Sequence, residues 1–116
     1  IGTISLTEKL LPNIINGGVV VNLSSELGSL EQNMPNKAYS YRLSKVALNM
    51  YTRTLSRRMS ERNVSVYSFA PGWVKTDMGT VNAIREPSEP AREIYELCIL
   101  GKESGLFYEK GKARDW

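Results

Sequence analysis

The run Val19-Val20-Val21-Asn22-Leu23, set between Asn16-Gly17-Gly18 and Ser24-Ser25, constrains this chain more than any other segment. Mostly β-branched and nearly continuously apolar, it fits a short strand covered on both faces, the pattern of a parallel sheet. Parallel strands need a crossover between them, usually a helix. Residues 39–62 supply one, with Leu43, Val46, Ala47, Met50, Tyr51, Leu55 and Met59 as its apolar stripe and Arg and Ser on the other side. Asn63 ends that helix, and Val64-Ser65-Val66-Tyr67-Ser68-Phe69 alternates as a second strand, broken by Pro71-Gly72. Residues 76–90 read as irregular, 91–100 as a helix with Ser88 or Glu89 near its start, and Gly105-Leu106-Phe107-Tyr108 as a last strand. Ahead of the first strand, residues 3–15 have helical spacing interrupted by Pro12, and residues 24–37 read as a loop. Helix and strand thus alternate, which implies right-handed crossovers and an α/β architecture.

Composition narrows the chemistry. The 116 residues contain no histidine, which removes Ser-His-Asp hydrolysis, Cys-His nucleophiles and histidine metal sites. Cys98 stands alone, so no internal disulfide forms, and a reducing, cytoplasmic setting is the expectation. No apolar run approaches the length of a membrane span. The net charge of +3 is small. Arg53, Arg57, Arg58 and Arg62 cluster, but without interleaved aromatic residues and with Glu61 nearby they read as a solvated helix flank, not a nucleic-acid surface.

Ser25, Tyr41 and Lys45 carry the candidate chemistry. Reducing a carbonyl requires a proton donor at oxygen while hydride reaches carbon. An unaided phenol is too weak an acid for this, and a nearby cation favours its ionised form. Tyr41 and Lys45, four apart on the expected helix, can share one face. A hydroxyl at Ser25, at the mouth of the sheet, would hold the carbonyl oxygen beside the phenol, with Ser24 as a lesser substitute. Tyr-x-x-x-Lys alone is weak, and a second match runs from Tyr108 to Lys112. That one falls on an expected strand, where residues four apart are about 13 Å away from each other. Separately, each feature has a plainer reading: a capped turn at Ser24-Ser25, a surface Lys45, a Pro71-Gly72 turn. Their order on the right elements outweighs those readings.

The arrangement Gly18-x-x-x-Asn22-x-x-Ser25-x-x-Gly28, then Tyr41-x-x-x-Lys45, then Pro71-Gly72-x-x-x-Thr76 resembles the short-chain dehydrogenase/reductase family. Residues 41–49, 71–79 and the closing Gly-Leu-Phe-Tyr-Glu-Lys and Asp-Trp are most similar to its cytosolic carbonyl-reductase branch. The resemblance implies a doubly wound, Rossmann-like parallel sheet of which this chain is the C-terminal half, a partial single domain whose cofactor-binding half lies outside it. It implies Tyr41 as general acid/base, Lys45 as the cation that supports it and binds the nicotinamide ribose, and Ser25 as the group orienting the carbonyl. Asn22 would belong to the strand-end motif of the cofactor site. Pro71, Gly72, Val74 and Thr76 would line the nicotinamide and diphosphate side, and Trp73, Met78 and residues 79–86 would shape specificity. NADP, or else NAD, is the implied cofactor, and a small carbonyl or alcohol the implied substrate.

The glycine-rich turn that seats cofactor phosphates is not in this sequence, and Gly17-Gly18 precedes a strand where that turn would follow one. Two function classes remain open on the sequence: an NAD(P)-dependent carbonyl reductase, or a truncated, non-catalytic binding module. Residues 39–62 also offer a surface for a homo-oligomer.

Overall fold

The computed structural model describes residues 1–32 and 38–116. A four-stranded sheet in the order β1-β2-β3-β4 forms its centre. β1 (Val19–Leu23), β2 (Ser65–Phe69) and β3 (Phe107–Glu109) are parallel neighbours, and β4 (Lys112–Arg114) pairs antiparallel with β3. Helices α1 (Gly2–Leu10), α2 (Tyr39–Arg58) and α3 (Ser88–Ile99) flank it. The α/β, mostly parallel architecture expected from the sequence is present.

Strand alternation sends side chains to two cores. Val20 and Val66 join Leu11, Leu55, Met59 and Val64 on the α2 side. On the α3 side, Val19, Val21, Tyr67 and Phe69 meet Leu97, Ile94 and Tyr108, with the Tyr67 and Tyr108 rings edge-to-face at 5.6 Å. Leu55 and Phe69 have no accessible surface, and burial of such a side chain contributes about 1.5–3 kcal/mol.

Several expectations are corrected. The last strand is followed by a hairpin: Lys110 and Gly111, at φ 49° and 74°, turn the chain from β3 into β4. The helix expected over 39–62 stops at Arg58, and a single 3₁₀ turn (Ser60–Arg62) leads to Asn63 in the left-handed region. Helix α3 does start at Ser88, one of the two residues expected near its start: Pro90 in a first turn removes no helical hydrogen bond, and Glu89 accepts from the Glu86 amide at 2.7 Å. The expected loop over 24–37 contains a 3₁₀ turn (Glu26–Gly28), and its residues 33–37 lie outside the described residues. Within this chain β1 pairs with β2 alone and is half-buried, whereas β2, flanked on both sides, is buried almost throughout.

The α2 stripe also differs. Leu43 and Met50 face outward at 68% and 62% exposure, while Leu48, Asn49, Thr52 and Leu55 face the sheet. Leu43, Ala47 and Met50 therefore lie on the exposed face of α2. Along its inner face α2 changes character. It is apolar at Leu55 and Met59, then polar at Thr52 and Asn49 as it nears the strand ends. Asn22 and Ser68, register partners on β1 and β2, supply the matching polar rungs. The arginine cluster is used within the molecule. Arg58 pairs with Glu8, Arg62 donates to the Leu11 and Ile14 carbonyls, and Arg53 lies over the Trp116 ring. Among the described residues no helix is long and apolar enough to cross a membrane.

Candidate active site

β1 and β2 end side by side, with Leu23 opposite Phe69, and the Ser24 amide donates to the Phe69 carbonyl at 2.7 Å. Ser24-Ser25 and Pro71-Gly72 thus leave the sheet at the same edge, the carboxyl end where α/β sheets place their ligands. A cleft of about 660 Å³ opens there. Ser24, Ser25, Tyr41, Pro71, Gly72, Trp73, Val74, Thr76 and Met78 all line it. Nine of the sequence-derived candidates therefore converge on one cavity. Leu23, Leu27, Gly79, Pro87, Pro90, Ala91 and Ile94 extend a predominantly apolar wall, and Glu26 adds its one charged side chain.

Lys45 stands behind this wall. Its ammonium donates to the Leu23 carbonyl at 2.8 Å and lies 5.4 Å from the centroid of the Tyr41 ring. Burial lowers its pKa below the ordinary lysine value. Spacing of four on α2 puts tyrosine and lysine on one face, and the β1 carbonyl holds the lysine there.

The two serines have different duties. Ser24 is buried and donates its hydroxyl proton to Asn49 Oδ1 at 2.6 Å, so that proton is spent. Ser25 Oγ instead accepts the Leu27 amide at 3.2 Å, capping the 3₁₀ turn, and keeps its own proton to donate into the cleft. Asn22 does not line the cleft. It is buried, and its amide donates to Thr52 Oγ1 at 2.9 Å, joining β1 to α2.

Residues 73–86 fold over the far wall as a closed loop. Trp73 Nε1 donates to the Gly79 carbonyl at 2.7 Å, and the Gly79 amide donates to Thr76 Oγ1 at 3.1 Å. A Cβ at Gly79 would sit 1.7 Å from the Val74 carbonyl oxygen, so only glycine fits. Sequence reasoning missed the residue that anchors this loop. Arg85, 7% exposed, donates to the Pro71 carbonyl at 2.7 Å and is paired with Glu93 on α3, with Glu89 at 4.0 Å. The signal was there in Glu89 and Glu93, four and eight residues on. Among the described residues no cluster of acidic or cysteine side chains is arranged to hold a metal.

The family model for the short chain dehydrogenase matches residues 1–86, most of the chain. The chain belongs to that family. Among curated relatives, the C-signal protein of Myxococcus xanthus is 32% identical over 113 residues, covering 94% of this chain and 68% of that protein. Carbonyl reductase [NADPH] 1 of Mus musculus is 29% identical, over 97% of this chain and 42% of its own length. Among solved structures, the carbonyl reductase Sniffer of D. melanogaster superposes with a TM-score of 0.88 at 31% identity, over 97% of this chain and 52% of that one. An NADPH-bound carbonyl reductase from chicken fatty liver gives a TM-score of 0.71 at 34% identity, over 84% of this chain and 42% of that one. The chain thus spans about half the length of the carbonyl reductases it matches, or less.

Proposed function

We propose that these residues form the catalytic half of an NADP-dependent reductase that converts a carbonyl to an alcohol. The observation that carries the reading is the Lys45 ammonium, tethered to the Leu23 carbonyl beside the ring of Tyr41, which lines the cleft together with Ser25. Tyr41 gives its phenolic proton to the substrate oxygen. Ser25, whose proton is unspent, donates to the same oxygen and fixes it. Lys45 supplies positive charge as the phenol loses its proton, and the low-dielectric rim of the cleft strengthens that interaction.

The residues present suit a nicotinamide on one side of the cleft. Pro71, Gly72, Val74 and Thr76 form a wall free of charged side chains, and Lys45 would hold a ribose hydroxyl. When bound, the nicotinamide supplies hydride to the carbonyl carbon. NADP is favoured over NAD by the NADPH-bound and NADPH-named relatives. The cleft's apolar lining, with Trp73 and Met78 partly open to solvent, favours a small apolar carbonyl substrate. A non-catalytic binding module is the less favoured reading, because the family model and the carbonyl-reductase relatives support an oxidoreductase.

Tyr41→Phe in the protein made from its complete reading frame tests the assignment. Turnover should fall at least about 10³-fold, with the NADPH dissociation constant within about twofold of wild type, since general acid–base groups supply 10²–10⁴. Retained carbonyl reduction would remove Tyr41 from this role.

A further inference from the structure

Asn49 lies one helical turn beyond Lys45 and two beyond Tyr41 on α2. It is 4% exposed and does not line the cleft, yet its amide reaches three separate segments. Oδ1 accepts the Ser24 hydroxyl at 2.6 Å and the Ser68 hydroxyl at 2.6 Å. Nδ2 donates to the Gly28 carbonyl at 3.2 Å. Ser24 immediately precedes Ser25, Gly28 closes the turn that Ser25 opens, and Ser68 lies on the neighbouring strand. One planar amide accepts twice at Oδ1 and donates from Nδ2, so its acceptor and donor lie on separate atoms, which neither a hydroxyl nor an aliphatic side chain offers.

The opposite side of the same contact is set by sterics. A Cβ at Gly28 would fall 2.7 Å from Lys45 Cβ and 3.3 Å from Asn49 Nδ2. The amide draws α2 toward the Ser24–Gly28 turn, and the glycine backbone limits how near it comes. We propose, on the reading that Ser25, Tyr41 and Lys45 form the reductase site, that Asn49 is the positioning residue that sets the reach between Ser25 and the Tyr41–Lys45 pair.

Two variants of the complete protein test this. Asn49→Leu keeps the branched outline with somewhat larger methyl groups, and leaves two buried hydroxyls without an acceptor and the Gly28 carbonyl without its donor. The triple variant Asn49→Leu/Ser24→Ala/Ser68→Ala removes those hydroxyls too, and such matched apolar replacement can be nearly neutral for stability. The triple variant should fold with an unfolding midpoint close to wild type, yet show kcat lowered about tenfold or more with the NADPH dissociation constant within about threefold, the size expected of a misplacement of about 1 Å. A readout without turnover is the ¹³Cε titration of Lys45. In the triple variant it should move back up toward an ordinary lysine, because the tethered, partly buried position is lost. Leu55→Ala, on the same helix but in the apolar core, should lower the unfolding midpoint and leave kcat of the folded protein within about twofold.

A folded triple variant with wild-type kcat and an unmoved Lys45 titration would overturn the proposal. A triple variant that does not fold would overturn it as well, by showing that the fold itself requires Asn49. Tyr41→Phe, assayed in parallel, separates the two readings. Activity retained in Tyr41→Phe overturns the site and the positioning role together. An inactive Tyr41→Phe beside a fully active triple variant overturns the positioning role alone.

Discussion

The Lys45 ammonium lies 5.4 Å from the centroid of the Tyr41 ring and is fixed there by the Leu23 carbonyl. Because burial lowers the pKa of Lys45, folding disfavours its charged form. That cost to stability is present at pH values below the folded pKa and fades as pH rises through it. Catalysis runs the other way. Activity that depends on the ammonium should decline on the alkaline side earlier than an unperturbed lysine would dictate. Lys45→Arg keeps its charge throughout and should lose this alkaline limb, while kcat drops about tenfold or more because the guanidinium does not fit a point-charge site. Profiles of kcat against pH for both proteins check this, and an identical alkaline limb in the arginine variant would assign that limb to another group.

Ser24 and Ser25 are adjacent in sequence and opposite in hydrogen-bond duty. Ser25→Ala should lower kcat about 10²-fold or more, the usual cost of removing one donor to a developing oxyanion. Ser24→Ala should cost about 1 kcal/mol of stability, by withdrawing one hydroxyl from buried Asn49, and lower kcat by less than about tenfold. Steady-state kinetics with urea unfolding on both variants would reveal a reversed order if Ser24 were the substrate-facing group.

Gly28→Ala presses a methyl group against Lys45 at 2.7 Å. Such overpacking costs about 1–3 kcal/mol, and the helix that must move carries Tyr41. Both the unfolding midpoint and kcat should fall, whereas Gly2→Ala, with no atom near its added Cβ, should leave kcat unchanged. Comparing the two kinetically isolates the close approach.

Arg85→Met should cost about 3–5 kcal/mol, because it leaves the half-buried Glu93 carboxylate without its partner. Adding Glu93→Leu should recover most of that loss. The Pro71 carbonyl loses its donor in both proteins, so a raised KM should persist in the stable double variant. A double variant with wild-type KM would confine Arg85 to stability.

Much of this arrangement was readable from residues 19–45 and 71–76. The β-branched run at Val19–Leu23 and the Pro71-Gly72 stop mark strand ends whatever surrounds them, and Tyr41 and Lys45 share a face by helical spacing alone. What stayed hidden depends on contacts distant in sequence. Hydrophobic periodicity favours Leu43 and Met50 and has no means to register that Asn49 and Thr52 face inward, because their burial is supported by partners 19 to 30 residues away. The β3–β4 hairpin was missed because Lys110-Gly111 is a weaker turn signal than Asn-Gly, and it breaks the second Tyr-x-x-x-Lys match into facing strands, with Tyr108 opposite Ala113. Arg85 looked like a loop arginine until α3 brought Glu93 against it.

Helix α2 is also a lever. Tyr41 sits eight residues from Asn49, about 12 Å along a stiff rod rising 1.5 Å per residue. A tilt of about 5° at the polar pivot would swing the phenol by about 1 Å, a displacement that can cost 10²-fold in rate. Substitutions near the pivot, far from any substrate, should therefore be felt at the tip in proportion to the angle they impose and not to the energy they remove.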